Sequence, residues 1–134
     1  MSGAKLFLRL DLASRVRLGP GKIRLLEEIA RTGSISAAGR AMKMSYRRAW
    51  LLVNDLNSCF RAPVVATRLG GAGGGKAGLT PLGRSVIRAY RAMEQDAERL
   101  LRRRSAGLVA QLRANPGRPR RGRRGVPDRL KAGT

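Results

Sequence analysis

The stretch Ser34-Ile35-Ser36-Ala37-Ala38-Gly39-Arg40-Ala41-Met42-Lys43-Met44-Ser45-Tyr46-Arg47-Arg48-Ala49-Trp50 constrains this chain more than any other. It divides into a short helical segment, a tight turn at Lys43-Met44, and a second helical segment that opens on a hydroxyl residue followed by two arginines. Ser36 is a good N-cap for the first helix, which is predicted to run to about Met42, and Ser45 caps the second. Such an arrangement is the sequence form of a helix-turn-helix, in which the N-terminal end of the second helix is presented to the DNA major groove.

Along the second helix Tyr46, Ala49, Trp50, Val53, Leu56 and Phe60 recur at spacings of three and four, which predicts a buried stripe with Trp50 as a core anchor. Arg47, Arg48, Leu51, Asn54 and Asp55 fall on the other side, and Pro63 ends the helix. Arg47 and Arg48, with Ser45 and Tyr46, lie in the first turn, the part of such a helix that reaches base edges. Arginine suits guanine because its planar fork donates two hydrogen bonds, to O6 and N7. Either arginine can instead hold only phosphate, as half or more of protein–DNA hydrogen bonds do. With Ser34, Ser36 and Asn54 these residues form the candidate DNA-contacting set on the two helices.

Flanking segments supply the rest of a fold. Leu6, Leu8, Leu10 and Leu12 alternate with Lys5, Phe7, Arg9 and Asp11, the period of a half-buried strand. Gly19-Pro20-Gly21 then starts a helix with Ile23, Leu26, Ile29 and Ala30 on its inner side, Glu27, Glu28 and Arg31 facing away, and Gly33 where a C-cap glycine belongs. After Pro63, Val64 to Leu69 has strand composition; a glycine-rich loop, Gly70 to Gly78, leads to a short return strand at Leu79. Two strands joined by such a loop beside a helix-turn-helix form a wing, whose Arg68 and Lys76 are candidates for the phosphate backbone. Thr80-Pro81 is a cap followed by proline at the first helical position, and a long helix is predicted over 81–103. In it Val86, Tyr90, Met93, Ala97 and Leu100 are spaced 4, 3, 4 and 3, a heptad seam suited to dimerisation. The expected fold is therefore mainly α with a small β wing: a winged helix-turn-helix over 1–104 with a long C-terminal dimerisation helix.

Composition points the same way. The 134 residues carry 29 Lys and Arg against 8 Asp and Glu, a formal net charge of +21. A surplus so one-sided repels itself in a folded chain and suits a polyanionic partner, above all nucleic acid. It is densest from Arg102 onward, where eleven basic residues stand against Asp128 alone. Residues 105–134 are expected to be a disordered basic tail, because Asn115 to Gly125 cannot bury a core.

Catalysis finds no constellation. Histidine, the commonest metal ligand and neutral-pH base, is absent from the sequence, and its acids are scattered, Glu27 and Glu28 reading as a solvated helix face. Cys59, the one cysteine, reads as a small reduced core or boundary residue. Gly70, Gly75 and Lys76 match part of a phosphate-binding loop, but Ala77 replaces the hydroxyl that would hold magnesium, and Gly78 and Pro81 keep a helix from starting after the lysine. The reading is thus of a non-enzyme with no cofactor and no metal. The longest apolar run, Ala49 to Val53, is too short to span a bilayer, and the N-terminus lacks a signal-peptide layout. The cytoplasm, in association with the nucleoid, is the expected location.

The combination of Gly33-Ser34-Ile35-Ser36-Ala37-Ala38, Met44-Ser45-Tyr46-Arg47-Arg48-Ala49-Trp50, Asn57, a glycine-rich wing and Leu79-Thr80 before a long helix resembles the N-terminal DNA-binding domain of the ModE-type molybdate-responsive transcriptional regulators. The resemblance covers roughly residues 5 to 101, and its Gly-Ser-x-x-x-Ala-Ala part is shared with LysR-type regulators. It implies a winged helix-turn-helix that dimerises partly through its long helix and binds a palindromic operator of genes for molybdate uptake or molybdenum-enzyme use. Full-length members carry molybdate in a separate C-terminal pair of small β-barrel domains. Here an arginine-rich segment occupies that place, so no molybdate-binding residue is carried over. The expected partners are double-stranded DNA and a second copy of the chain. Two rival readings stay open: a nucleoid-like or general nucleic-acid-binding protein, and a modulator that forms a heterodimer with a longer homologue.

Overall fold

The structure, a computed structural model, describes residues 4–68 and 75–113. The elements in chain order are β1 (Leu10–Leu12), β2 (Val16–Leu18), α1 (Pro20–Thr32), α2 (Ile35–Ala41), α3 (Tyr46–Cys59), β3 (Val65–Arg68), β4 (Lys76–Leu79) and α4 (Pro81–Ala110). The chain is mainly helical, with two separate antiparallel two-stranded sheets, β1–β2 and β3–β4. The segment expected as a disordered tail is helical as far as Ala110, and its remainder from residue 114 lies outside the described residues. Helix α4 outruns its expected end near Arg103 because no proline or capping signal interrupts the chain there; the next proline is Pro116.

Helix α1 is central, touching α2, β2, β4 and α4. That position explains a departure from the single predicted stripe: Leu25 is as fully buried as Ile23, Leu26 and Ile29, whereas Ala30 is exposed. Gly33 ends the helix at φ 73°, in the left-handed region open to glycine, and its N–H donates to the Ile29 carbonyl at 2.8 Å. The Gly33 carbonyl in turn accepts from the Ala77 N–H at 2.9 Å, so β4 is docked on the end of α1.

The cap of α2 is Ser34, not Ser36. Ser34 has extended backbone at φ −152° and ψ 132°, and its Oγ accepts from the Ala37 N–H at 3.0 Å. Ser36 lies inside the first turn, where its hydroxyl accepts from Arg40 Nη1 at 2.8 Å. The turn at Lys43-Met44 forms as predicted, with Lys43 at φ 58° and the Met44 N–H donating to the Gly39 carbonyl at 2.9 Å. Ser45 caps α3 as expected, its Oγ accepting from the Arg48 N–H at 3.1 Å. The predicted stripe on α3 is only partly buried: Ala49, Val53 and Leu56 are in the core, Trp50 and Phe60 are half-buried, and Tyr46 is 56% exposed. Trp50 thus packs against the edge of the core while one side of it stays open, rather than standing inside it as an anchor.

The strand expected over Leu6 to Leu12 is paired only at Leu10–Leu12, because its partner β2, which the alternation did not announce, is three residues long. Ala13 and Ser14 join the two at φ 50° and 57°. Upstream the burial still alternates as predicted, with Leu6, Leu8 and Leu10 turned inward and Phe7 78% exposed. β3 and β4 pair in the register Val65 with Leu79 through Arg68 with Lys76, so the return strand begins three residues before Leu79. Cys59 is half-buried and donates weakly to the Arg15 carbonyl at 3.7 Å.

Two junctions set the angles between these parts. Asn57 of α3 accepts at Oδ1 from the N–H groups of Val64 (2.8 Å) and Val65 (3.1 Å) and donates from Nδ2 to the Val65 carbonyl (3.1 Å). Thr80 caps α4 by accepting from the Gly83 N–H at 3.0 Å, while its hydroxyl donates to the Pro63 carbonyl at 2.7 Å. Gly83 lies against the residue that precedes β3 so closely that a Cβ there would be 2.2 Å from the Val64 carbonyl oxygen.

Further along α4, Val86 and Tyr90 belong to this core, at 9% and 0% exposure. The upper part of the predicted dimer seam is thus buried within the chain itself, because the helix meets α1 and the N-terminal segment there. The Tyr90 hydroxyl donates to the Leu8 carbonyl at 2.7 Å, and burial, reinforced by Glu94, raises its pKa above the ordinary tyrosine value. Arg91 joins α1 to α4 through two hydrogen bonds to Glu27, at 3.0 and 2.7 Å, and one to Glu94 at 2.6 Å. Those bonded carboxylates push its pKa up further. Glu27 is therefore a structural partner rather than part of a solvated face, and Glu28 is likewise held by Arg31 at 2.6 Å.

Replacing Gly83 with alanine drives a methyl group into the Val64 carbonyl, and overpacking of this kind costs about 1–3 kcal/mol. Urea unfolding should show that loss. Asn57→Ala strands buried backbone groups at the start of β3 and should cost about 2–3 kcal/mol by the same measurement, since each unsatisfied group carries its desolvation penalty.

Candidate nucleic-acid interface

Helix α2, the first turns of α3 and the β3–β4 hairpin border an open groove of about 460 Å³. From the α2 side it is lined by Ser34, Ile35, Ser36 and Arg40, and from α3 by Tyr46 and Trp50. The hairpin contributes Thr67, Arg68, Gly75, Lys76 and Ala77. The Asn57 and Gly33 junctions hold this third wall, since one fixes the start of β3 and the other the middle of β4. Tyr46 and Trp50 stand one helical turn apart with rings edge-on, 6.2 Å between centroids at 78°, and the indole N–H of Trp50 donates to the Tyr46 hydroxyl oxygen.

Of the candidate contacts named from sequence, Ser34, Ser36, Tyr46, Arg68 and Lys76 come together in this groove. Ser45, Arg47, Arg48 and Asn54 lie exposed on α3 outside it. Ser45 spends its side chain on the cap. Arg40, Thr67 and Trp50 line the groove without having been singled out as contacts. Arg40 was discoverable: it follows Ser36 by four residues, which puts both on one helix face. Trp50 was assigned to the interior by its spacing, which does not tell where a stripe leaves the core.

Arg9, Lys22, Arg31, Arg91 and Arg99 each have a carboxylate partner. Among the described residues no ion pair engages Arg40, Arg47, Arg48, Arg68 or Lys76. Arg68 and Lys76 are moreover directly opposed across the hairpin, an arrangement that destabilises a sheet when nothing neutralises it. The phosphate-loop resemblance of this region does not extend to its geometry, because Lys76 opens a strand rather than a helix; Gly70 lies outside the described residues.

The rest of the expected dimer seam is on the surface, Met93 at 42% and Leu100 at 47% exposure, with Ala97 half-buried between them. Among the described residues no group of three or more His, Cys, Asp or Glu could hold a metal ion, and no helix is long and apolar enough to cross a membrane.

No protein-family model matches the chain. It is similar to the molybdenum-pterin-binding protein MopB of Rhodobacter capsulatus, 47% identical over 85 residues, which are 63% of this chain and 32% of that protein. The molybdenum transport protein ModE of Azotobacter vinelandii is 36% identical over 110 residues, 81% of this chain and 41% of that protein. The DNA-binding transcriptional dual regulator ModE of Escherichia coli (strain K12) is 36% identical over 92 residues, 69% of this chain and 35% of that protein. The chain thus spans about a third to two-fifths of the length of the relatives it matches, and its homologues are ModE regulators and molybdenum-pterin-binding proteins.

Proposed function

We propose that the chain is a sequence-specific DNA-binding transcriptional regulator, a winged helix-turn-helix that acts on a palindromic operator as a homodimer. The observation that carries this reading is the first turn of α3. Arg47 and Arg48 are exposed there beyond the Ser45 cap, among the described residues without carboxylate partners, and beside a groove whose far wall carries two more cations that no ion pair among those residues engages. In this arrangement α3 lies in the major groove, Arg47 and Arg48 reach base edges, and Asn54 follows two turns later on the same helix. The β3–β4 hairpin is the wing, with Arg68 and Lys76 on flanking phosphates. The likeness to ModE regulators supports molybdenum-related genes as the targets and the cytoplasm, at the nucleoid, as the location. No catalytic step is part of the proposal.

The high net charge favours a second reading, general nucleic-acid binding with little base readout. Selection from a random duplex library at fixed salt separates the two. A regulator enriches a two-fold symmetric site, whereas a charge-driven binder enriches nothing. At the enriched site, Arg47→Ala and Arg48→Ala should each leave the fold intact, and whichever residue reads a base should lose about 1–3 kcal/mol and relax the preference at one base pair. Arg68→Ala and Lys76→Ala should weaken all duplexes alike and lower the salt slope by about 0.9 for each phosphate released.

Pairing of two copies is assigned to the exposed stretch of α4 at Met93, Ala97 and Leu100. It sets two α3 helices about 34 Å apart, on successive major grooves. Met93→Glu puts a charge where desolvation is costly and is expected to sediment as a monomer with its helical content retained. A dimer in that variant would place the interface elsewhere. Recovery of a longer homologue in place of a second copy would favour the modulator reading.

A further inference from the structure

We infer that the groove between α2, α3 and the β3–β4 hairpin seats one sugar-phosphate unit of a DNA strand, and that Tyr46, poised by Trp50, donates its hydroxyl proton to that phosphate rather than reading a base. The inference rests on the DNA-binding reading above and goes beyond it by assigning the groove and the direction of its hydrogen bonds.

The hydroxyls decide the chemistry. Ser34 Oγ accepts from the Ala37 N–H at 3.0 Å, Ser36 Oγ accepts from Arg40 Nη1 at 2.8 Å, and Tyr46 Oη accepts from Trp50 Nε1. Each oxygen is thus engaged as an acceptor by an internal donor. Among the described residues no hydrogen bond uses the O–H proton of any of the three. A hydroxyl carries one donor and two acceptor sites, so an internal donor takes up one acceptor site of each oxygen and leaves its proton uncommitted. Arg40, Arg68 and Lys76 add charged donors to the same space, and among the described residues no Asp or Glu lines it. A groove in which charged and uncommitted donors outnumber acceptors favours a guest rich in acceptors. The opposed cations Arg68 and Lys76 demand that the guest be anionic, since unneutralised they destabilise the hairpin that carries them.

A free tetrahedral oxyanion and a phosphodiester share this chemistry. The lining favours the diester, because Ile35, Trp50 and Ala77 add apolar surface that a small hydrated anion leaves uncovered and a deoxyribose covers. The volume of about 460 Å³ and the open form of the groove also suit a strand that enters and leaves, rather than an enclosed ion. Trp50 acts through Tyr46: its indole N–H fixes the phenol oxygen, which orients the remaining proton outward.

Trp50 is the sole tryptophan of the chain, so its emission reports on the groove without a label. The full chain is titrated with a mixed-sequence duplex of about 30 bp, three helical turns. Trp50 emission and the anisotropy of the labelled duplex are followed together. The expected result is a saturable emission change with the same midpoint as the anisotropy. Tyr46→Phe keeps the ring and its edge contact but removes the donor. It should weaken the mixed-sequence duplex and the selected site by the same factor, about ten-fold for a hydrogen bond to a charged group. The salt slope should stay unchanged, because no counterion is involved.

If the duplex binds while Trp50 emission stays still and Tyr46→Phe binds like the parent, the groove is not the seat and this inference falls, although the DNA reading stands. A Tyr46→Phe loss confined to the selected site would make Tyr46 a base reader, which also overturns it. Inorganic phosphate alone, at constant ionic strength, should leave emission unmoved. If it saturates the signal and displaces duplex, the groove serves a free anion instead. Failure of any duplex to bind by anisotropy removes the DNA reading, and this inference with it.

Discussion

The side-chain amide of Asn57 determines where the working parts of this molecule point. It accepts two backbone N–H groups and donates to one carbonyl at Val64-Val65, so it acts as a one-residue strand partner projecting from a helix. Helix α3 and the hairpin are thereby one body. The groove exists because its walls are held at a set angle by this bond set on one side and by the Ala77 to Gly33 bond on the other. Packing alone would not give that precision, since apolar contact is non-directional whereas hydrogen bonds weaken steeply off axis.

The helices were legible where a local rule decides. The Gly33 C-cap, the Ser45 cap, the Lys43-Met44 turn and the Thr80-Pro81 start depend on residues within one turn of each other, and each stands where the sequence put it. Errors arose where the answer is tertiary. Ser34 and Ser36 are both adequate caps by residue type, and the cap falls on Ser34, directly after the Gly33 that ends α1. Val86 and Tyr90 share heptad spacing with Met93, Ala97 and Leu100, yet the first two face α1 and the N-terminal segment while the others face outward. Spacing defines a stripe, and only the neighbouring elements define which part of it is covered. The candidate contacts were similarly half legible. Their residue types were evident, but their division between a groove and an outer helix face was not.

Electrostatics add a second theme. The few carboxylates are spent on structure, Glu27 and Glu94 on the Arg91 bridge between α1 and α4, and Glu28 on Arg31. Exposed pairs of this sort contribute modestly to stability, and among the described residues they leave cations without an ion pair both on the α2, α3 and hairpin face and elsewhere, as at Arg24 of α1 and Arg88 of α4. On the proposed reading, what sets the α2, α3 and hairpin face apart is its groove and the opposed Arg68 and Lys76 rather than a lack of ion pairs. On that same reading the basic segment beyond Arg102 would supply attraction at a distance and the groove face registry.

Helix α4 is also a lever with its fulcrum at Gly83. Its 30 residues extend about 45 Å, and the tight approach of Gly83 to the Val64 carbonyl lies in the first turn. A tilt of about 5° at that contact displaces the far end by about 4 Å over this length. The absence of one methyl group at the base, together with the Tyr90 and Arg91 contacts further along, therefore sets where Leu108, at the tip, is carried in space. Small differences in side-chain bulk at position 83 would be magnified into large differences in how two such arms could cross.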